Sequence, residues 1–323
     1  MSTITSRALR AAPLVGLALI MIRAAIFAEP MADLIAGMQR CGHFSMRGVK
    51  VPIIATFYKV PILDTALSHI TIAFAQLQMY PADPGAYWQS LVFLTEYGSL
   101  YAILFWESCR MGYHMRLRTI WPAQAAGTLP TIILAYYVPH FLSYFHQSYA
   151  ARHWWNWIWQ LYPIWGSLTF LTSIILAAKT IGYQGGSSKH IVRVSVGVLA
   201  AVNTAIYWYT AYSSELSLFQ LFVPKYFIYA PVEADVALRV VIQYDYICCL
   251  GAALLWLALM LRDLKDMKDC GSMQLSWTMI LVSAVVLSGT CGVGTMMLVA
   301  WSWRNELLIT PFETKELETR KNQ

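Results

Sequence analysis

The stretch VIQYDYICCLGAALLW, residues 241–256, carries a single charged side chain, Asp245, among sixteen residues. With its apolar flanks it predicts a helix over 237–261, long enough to cross the ~30 Å hydrocarbon core of a membrane. The rest of the chain is also rich in apolar residues and poor in charged ones. Of its 323 residues, 58% are hydrophobic and 12% are charged, and that charged fraction is about half the value usual for soluble proteins. The composition excludes a soluble enzyme and predicts an all-α, polytopic transmembrane helical bundle.

Windows of about 20 apolar residues divide this bundle into eight predicted spans. They cover 12–28, 62–80, 86–107, 120–145, 155–178, 191–212, 237–261 and 275–303. Seven spans, with one segment re-entrant or interfacial, is the alternative. We expect one domain, residues 1–308, followed by a mainly polar C-terminal tail, 309–323. Segment 215–231 is too polar and too interrupted by proline to span, so we expect it to lie at the interface as a lid.

The positive charges predict which loops face the cytoplasm. Lys and Arg gather in alternate loops, whereas the intervening loops contain only Arg152 and Lys225. The positive-inside rule assigns the basic set to the cytoplasm. Eight alternating spans then place both termini on the opposite side. That placement conflicts with the basic residues Arg7 and Arg10 and with the charged tail that follows Lys315.

Motifs for metal or nucleotide binding are weak in this sequence. The six cysteines form no CxxC pair, and the acidic residues of RDLKDMKDC, 262–270, are interleaved with lysines, which is typical of a solvated connector. Gly289, Gly292 and Gly294 follow a spacing that favours close helix packing over a nucleotide loop. The sequence therefore predicts no bound metal and no cofactor.

Inserting a charged side chain into the centre of a membrane costs a few kcal/mol, so each such residue is a candidate for a structural or functional role. Asp245 lies well inside its predicted span, and its side chain is too short to reach the interface. A buried carboxyl without a cationic partner tends to stay protonated, as an acid in an apolar pocket must. The alternative is a buried salt bridge from Asp245 to Arg239 or Arg193.

Two more candidate acids share the span at 86–107. Glu96 and Glu107 are eleven residues apart, almost three helical turns, so they point the same way about 16 Å apart. Glu96 is deep, whereas Glu107 is near the cytoplasmic edge, where pairing with Arg110 is the alternative. Asp64 is either a further catalytic acid or a helix cap. His69, five residues later, is a candidate proton shuttle.

Aromatic residues accompany these acids. Aromatic faces stabilise cations by up to ~2 kcal/mol when desolvated, so acids in an aromatic cavity suit a reaction that forms a carbocation. The predicted substrate-binding residues are Tyr97, Tyr101, Trp106, Tyr244, His69 and Arg239.

LTEYGSLYAILFWES, 94–108, and FVPKYFIYAPVEADVALRVVIQYDYICCLGAALLW, 222–256, carry a family resemblance. With the chain length and the layout of spans, they resemble the fungal integral-membrane terpene cyclases of meroterpenoid biosynthesis. The longer type, associated with ascochlorin, ascofuranone and macrophorin, is the more similar.

This resemblance implies a metal-independent reaction in the endoplasmic reticulum membrane. A carboxylic acid protonates the epoxide or terminal alkene of a farnesyl chain on a phenolic or polyketide head, rings close through carbocations, and a base removes a proton. The acids that it implies are Glu96 and Asp245, with Asp64 and Glu107 as additional candidates. The expected partners are a lipophilic prenylated substrate and membrane lipid, not nucleic acid.

Two other functions fit the same features. A proton-coupled transporter or a receptor also uses intramembrane carboxylates. A sterol-isomerase-like enzyme also protonates an alkene in an aromatic cavity. Substrate trials separate these functions from a cyclase.

Overall fold

The computed structural model describes, apart from isolated positions, residues 43–46, 49–52, 84–111, 122–181, 188–225, 234–266 and 276–321. Strands β1 (His43–Met46) and β2 (Val49–Pro52) form an antiparallel hairpin. All other regular elements in these ranges are helical. They are α1 (Pro84–Met111), α2 (Pro122–Thr131), a π-helical segment (Ile132–Tyr137), α3 (Val138–Phe145), α4 (Tyr149–Gln160), α5 (Tyr162–Ile181), α6 (Ser188–Ser213), α7 (Leu218–Phe222), α8 (Ala234–Asp266), α9 (Trp277–Cys291) and α10 (Val293–Lys321).

The prediction of a helical fold is thus confirmed for the described residues, with the hairpin as an unpredicted addition. The predicted spans 12–28 and 62–80 lie outside the described residues, and so do the candidates Asp64 and His69. Helix α10 continues through the predicted tail to Lys321.

Fewer helices qualify as membrane spans than the eight predicted. Within the described ranges, three helical stretches are long and apolar enough to cross a membrane: Pro122–Phe145, Ser188–Ser213 and Arg239–Leu264. The bent pair α4 and α5 makes a fourth if it is counted as one broken span. Helix α1 covers the predicted span 86–107 but is not among them, because its buried face carries polar side chains such as Gln89 and Glu96.

The predicted span 275–303 is two helices rather than one. The helix is interrupted at Gly292, whose φ of 87° lies in a region that favours glycine. Helix α9 has 15 residues, short of the roughly 20 needed to span, and it exposes large apolar side chains such as Met279 and Val285. An exposed apolar face of this kind suits contact with lipid.

The described helices contribute to two compact units. The first contains Met1–Leu94, Val138–Tyr162 and Tyr209–Ala252, and the second contains Thr95–Tyr137, Pro163–Trp208 and Ala253–Gln323. In the first unit, the Ser90 and Tyr144 hydroxyls are hydrogen-bonded at 2.7 Å. The fully buried His140 ring lies 5.0 Å from the ring of Tyr144 and 5.9 Å from that of Trp159. These contacts pack α3 and α4 beside the first turns of α1.

A π-helical segment shapes the second unit. Pro130 removes a backbone donor from α2, and the wider π turns begin two residues later. The last two residues of the segment, Tyr136 and Tyr137, pack against Gly98 of α1. A Cβ atom at Gly98 would lie 2.6 Å from Cε1 of Tyr137 and 2.8 Å from Cε1 of Tyr136. The glycine therefore permits the tyrosines to reach the backbone of α1.

Contacts within the second unit fix the direction of α10. Gly294 lies beside Glu96, and Trp301 donates a hydrogen bond to Glu107. Residue numbers increase in the same direction along both helices, from Glu96 to Glu107 and from Gly294 to Trp301, so α10 runs parallel to α1. Along α6 and α10 the residue numbers of contacting pairs change in opposite directions. Arg193 pairs with Glu306 and Thr204 is hydrogen-bonded to Thr295, so the two helices are antiparallel.

These directions correct the predicted alternation of eight spans. Strict alternation would make the third and eighth spans antiparallel, whereas α1 and α10 are parallel. The physical reason is the helix break at Gly292, which starts α10 at the level of Glu96 on α1. The C-terminal ends of α1 and α10 therefore point in the same direction.

This arrangement predicts the sidedness of three inserted protease tags in sealed microsomes. A tag after Gln323 and a tag in the loop 112–119 should both be cleaved by external protease without detergent. A tag at Glu215, just after α6, should be protected until detergent is added, because α6 runs opposite to α10. Protection of the C-terminal tag together with the Glu215 tag would contradict the parallel arrangement of α1 and α10.

Candidate functional site

The most enclosed candidate acid is Glu96 in the second unit. It lies on α1 with 1% of its surface exposed. A Cβ atom at Gly292 would lie 2.6 Å from Oε1 of Glu96, and one at Gly294 would lie 2.8 Å from its Cγ. The acid therefore occupies space that side chains at these two positions would fill. The predicted close packing is confirmed at Gly292 and Gly294 but not at Gly289, where a Cβ would meet nothing within 4 Å.

A series of hydrogen bonds between neutral groups lies beside Glu96 in the second unit. Nδ2 of Asn203 donates to Oγ of Ser99 at 2.7 Å, and the Tyr137 hydroxyl donates to the backbone oxygen of Thr95 at 3.0 Å. Ser99 and Tyr137 are joined at 3.2 Å, and Ser99 must be the donor because the Tyr137 proton is already used. The result is a directed chain of hydrogen bonds from Asn203 to a backbone carbonyl.

Asn203, the first residue in this series of hydrogen bonds, also has an acceptor oxygen. Oδ1 of Asn203 is buried and has no hydrogen-bond partner among the described residues. A Cβ atom at Gly294 would contact both Nδ2 of Asn203 and the side chain of Glu96 at 2.8 Å, so the amide and the carboxyl side chain are neighbours. A buried amide oxygen without a donor is unfavourable by ~1–3 kcal/mol, so its retention is typical of a functional position.

Aromatic rings form part of the surroundings of Glu96. The ring of Tyr207 lies 3.3 Å from the Cβ position of Gly292, and its hydroxyl donates to the Gly289 carbonyl at 2.9 Å. The predicted substrate-binding residues Tyr97 and Tyr101 are half-buried with their rings 5.0 Å apart, and Tyr101 lies 6.0 Å from Tyr136. Their role in binding stays a prediction.

Trp106 and Glu107 have structural partners that lie far away in sequence. Trp106 is fully buried and stacks on Trp301, with ring centroids 4.8 Å apart. Oε1 of Glu107 accepts from Trp301 Nε1 at 2.8 Å and from Arg304 at 3.0 Å. Burial lowers the pKa of Arg304, and the neighbouring Glu107 carboxylate opposes that shift. This pairing favours a structural role for Glu107; the side chain of Arg110, its predicted partner, lies outside the described side chains.

Asp245 lies in the first unit and is half-buried on α8. Its Oδ1 accepts a hydrogen bond from Cys249 Sγ at 3.1 Å. Among the described residues, no lysine or arginine nitrogen lies within 4.0 Å of it, so the alternative salt bridge to Arg239 or Arg193 is not found. Arg193 pairs with Glu306 instead, at 2.6 Å. The carboxyl-to-thiol contact leaves Asp245 as a second candidate acid.

The remaining predicted residues also belong to the first unit. Tyr244 is 5% exposed, and the neighbouring Tyr246 ring lies 5.5 Å from Phe93 and 4.8 Å from Phe222. Arg239 lines a cavity of about 70 Å³. The sequence missed Asn203 and Ser99 because single polar residues in apolar helices carry no spacing signal.

Comparisons with known proteins find two distant relatives, whereas no protein-family model and no solved structure matches the chain. The FAD-dependent monooxygenase verC1 of Penicillium polonicum is 25% identical over 217 residues, 65% of this chain and 26% of that protein. The FAD-dependent monooxygenase anuJ of Penicillium roqueforti is 26% identical over 189 residues, 56% of this chain and 23% of that protein. The chain thus spans about a quarter of the length of these curated relatives.

The described residues do not fit a dinucleotide such as FAD. Binding of its pyrophosphate in the common fold requires a glycine-rich turn between a strand and a helix. Here the glycine-rich stretch 289–294 joins two helices, and Glu96 and Asn203 fill the space beside Gly292 and Gly294. The only described strands, β1 and β2, form an antiparallel hairpin.

Substitution of Gly292 by Ala should lower stability strongly. The backbone at Gly292, with φ 87° and ψ 157°, is nearly exclusive to glycine, and the new methyl group would meet Glu96. We expect a loss of at least about 2 kcal/mol. The measurement is the thermal unfolding midpoint of the purified protein in detergent.

Gly289→Ala is the matched control. It places the same methyl group one turn earlier, inside α9 and in open space, so it should be neutral or slightly stabilising. Equal midpoints for the two variants would show that the contact with Glu96 is unimportant.

A double-mutant cycle should separate the buried ion pair from the exposed one. Removing one partner, as in Glu107→Gln, leaves Arg304 charged and largely buried, which should cost about 3 kcal/mol. Adding Arg304→Gln should recover part of that loss. The same cycle at Arg193 and Glu306, whose side chains are 60% and 36% exposed, should give no more than about 1 kcal/mol. Chemical unfolding in detergent measures both cycles, and additive losses at Glu107 and Arg304 would refute the coupling.

Proposed function

We propose that this chain is a terpene cyclase of the endoplasmic reticulum membrane, with Glu96 as the acid that starts cyclisation of a farnesylated phenolic or polyketide substrate. The observation that carries the proposal is the enclosure of the Glu96 carboxyl against Gly292 and Gly294 at a helix break, with 1% of the residue exposed. A general acid needs a carboxyl that holds its proton at neutral pH, and burial favours the protonated form.

The three other described or predicted acids fit this role less well. Glu107 is salt-bridged to Arg304, so it already has a structural partner. Asp245 is more exposed than Glu96 and accepts a hydrogen bond from a thiol. Asp64 lies outside the described residues. Asp245 is therefore the alternative donor, and Glu96 is the one that we assign.

The chemical step conserves the atoms of the substrate. The Glu96 O–H bond breaks, and its proton joins the epoxide oxygen, which becomes a hydroxyl group as the C–O bond to the more substituted carbon breaks. The electron pair of the next alkene fills the resulting cation and closes a ring. After the last closure a base such as water takes a proton from carbon, so the product is an isomer of the substrate. With an alkene start, the proton joins the less substituted CH carbon of the terminal alkene instead, and the cation forms on its dimethyl-substituted carbon.

The neighbours of Glu96 have defined parts in this reaction. We assign to the Asn203 amide, a neighbour of the Glu96 side chain at Gly294, the part of orienting the acid, and the hydrogen bonds through Ser99 and Tyr137 hold that amide. The Tyr207 ring, fixed by its hydrogen bond to Gly289, offers an aromatic face to a developing carbocation.

The two relatives bear on this proposal only indirectly. Both are named as FAD-dependent monooxygenases, and the chain covers about a quarter of each. Oxygen insertion into an alkene gives an epoxide, the group that an acid-catalysed cyclase opens, so the two chemistries are compatible. We assign no flavin to this chain, because its glycine-rich stretch does not fit one.

The test is Glu96→Gln in microsomes supplied with a terminally epoxidised farnesyl phenol. Wild-type protein should give a cyclised isomer of unchanged mass, also in EDTA, detected by liquid chromatography with mass spectrometry. The amide keeps the shape of the side chain but cannot donate an acidic proton. We expect at least a ~100-fold lower rate, the usual contribution of a general acid.

Three comparisons keep this experiment decisive. Glu306→Gln removes a carboxylate from an exposed pair and should retain the wild-type rate. Size-exclusion profiles establish that the variants are folded. Asp245→Asn tests the alternative donor, and full activity of Glu96→Gln with loss in Asp245→Asn would overturn our assignment. Vesicle uptake of the same substrate without a new product would favour the transporter.

A further inference from the structure

The Glu96 carboxyl is covered by protein in this structure. The residue is 1% exposed, and the backbone of Gly292 is so close that a Cβ atom there would lie 2.6 Å from Oε1. A substrate can take a proton from Glu96 only when it comes within hydrogen-bond distance of the carboxyl. Part of the wall around Glu96 therefore has to move, and the α9–α10 junction is the part that lies against Oε1.

Helix α10, on one side of this junction, is anchored along its length in the second unit. Thr295 donates to the backbone oxygen of Ala200 at 3.2 Å, and Trp301 donates to Glu107 at 2.8 Å. The Trp301 ring also stacks on the fully buried Trp106 ring. A displacement of α10 would break these contacts together, so α10 is the fixed side of the junction.

Helix α9, on the other side, is far less enclosed. None of its 15 residues is buried, and Met279, Leu281 and Val285 are between 62% and 73% exposed. Its apolar side chains suit lipid, and a helix satisfies its backbone polar groups internally. The hydroxyl of Thr290 also donates within the helix, to the backbone oxygen of Val286 at 2.8 Å. Helix α9 can therefore exchange contacts with protein for contacts with lipid at little cost.

Hydrogen bonds from α6 hold the last turn of α9. The Tyr207 hydroxyl donates to the backbone oxygen of Gly289 at 2.9 Å, and Oγ1 of Thr204 donates to that of Cys291 at 3.4 Å. The next residue is Gly292, which has no Cβ atom to restrict its backbone angles. Gly292 is therefore placed as a hinge, with α9 fastened immediately before it and α10 fixed after it.

We propose that α9 is a gate that pivots at Gly292 and opens the Glu96 site towards the membrane, so that a lipophilic substrate enters from the lipid. The inference rests on the proposed function for the identity of the molecule that enters. The closed state is the major one, because opening breaks the hydrogen bonds from Tyr207 and Thr204. The movement itself needs no chemistry, so the gate and the cyclase activity can fail separately.

The experiment measures distances by double electron–electron resonance in the full chain, with its six cysteines replaced, in nanodiscs. Spin labels are attached through Val285→Cys on α9 and Val198→Cys on α6, two exposed positions of the second unit. The labelled protein should show a major distance and a minor, longer one. Tyr207→Phe keeps the ring but loses the hydrogen bond to Gly289, so it should raise the ratio of the longer to the shorter distance about two- to tenfold.

Thr204→Val removes the other hydrogen bond at nearly constant side-chain size. It should raise the same ratio and serves as the test if Tyr207→Phe does not fold. Hexahydrofarnesyl phenol, which has no alkene or epoxide to protonate, should also raise the ratio, because a bound chain occupies space that the junction fills in the closed state. Glu96→Gln should keep the ratio within about twofold of its parent, because the carboxyl proton is not part of the gate.

A matched pair of labels tests whether α9 alone moves. Val299→Cys on α10 with Val198→Cys on α6 should give one distance that Tyr207→Phe, Thr204→Val and the phenol leave unchanged. A change at this control pair equal to that at α9 would overturn the hinge at Gly292.

Two further results would contradict the gate. One is a single α9 distance that neither variant changes. The other is opening in Tyr207→Phe without any response to hexahydrofarnesyl phenol, which would show that the movement does not admit the substrate. A fully active Glu96→Gln enzyme would refute the proposed acid and leave the α9 distances as they are, so the two failures are distinguishable.

Discussion

The close approach of the α9–α10 junction to Glu96 is the contact on which the second unit depends. Gly292 and Gly294 have no side chains, so the backbone reaches the carboxyl side chain directly. The same junction ends α9 after 15 residues, starts α10 beside Glu96 and aligns α10 with α1. One packing constraint therefore sets the enclosure of the acid and the direction of the last helix.

Sequence reasoning could locate most helices because apolar runs of about 20 residues are a strong signal. It also placed Glu96 and Glu107 on one face of α1, and both side chains contact α10 in the structure. Among the described residues it predicted more spans than the helices support, because hydropathy does not show that Gly292 interrupts a run or that the buried face of α1 is polar. Arg304 was beyond prediction, since the partner of Glu107 is nearly 200 residues away along the chain.

The chemistry follows from a contrast between two carboxylates on one helix. Glu107 has the Arg304 cation within hydrogen-bond distance, whereas Glu96 is enclosed beside Gly292, Gly294 and the Asn203 amide. Different surroundings give identical side chains different roles.

The central claim is that Glu96 carries a proton in the resting protein, and infrared spectroscopy of the membrane-reconstituted chain tests it most directly. At neutral pH, the carbonyl band of a protonated carboxylic acid should be present in the wild type, be retained in Glu107→Gln and be diminished or lost in Glu96→Gln. A wild-type spectrum without that band, or one that Glu96→Gln leaves unchanged, would contradict the account.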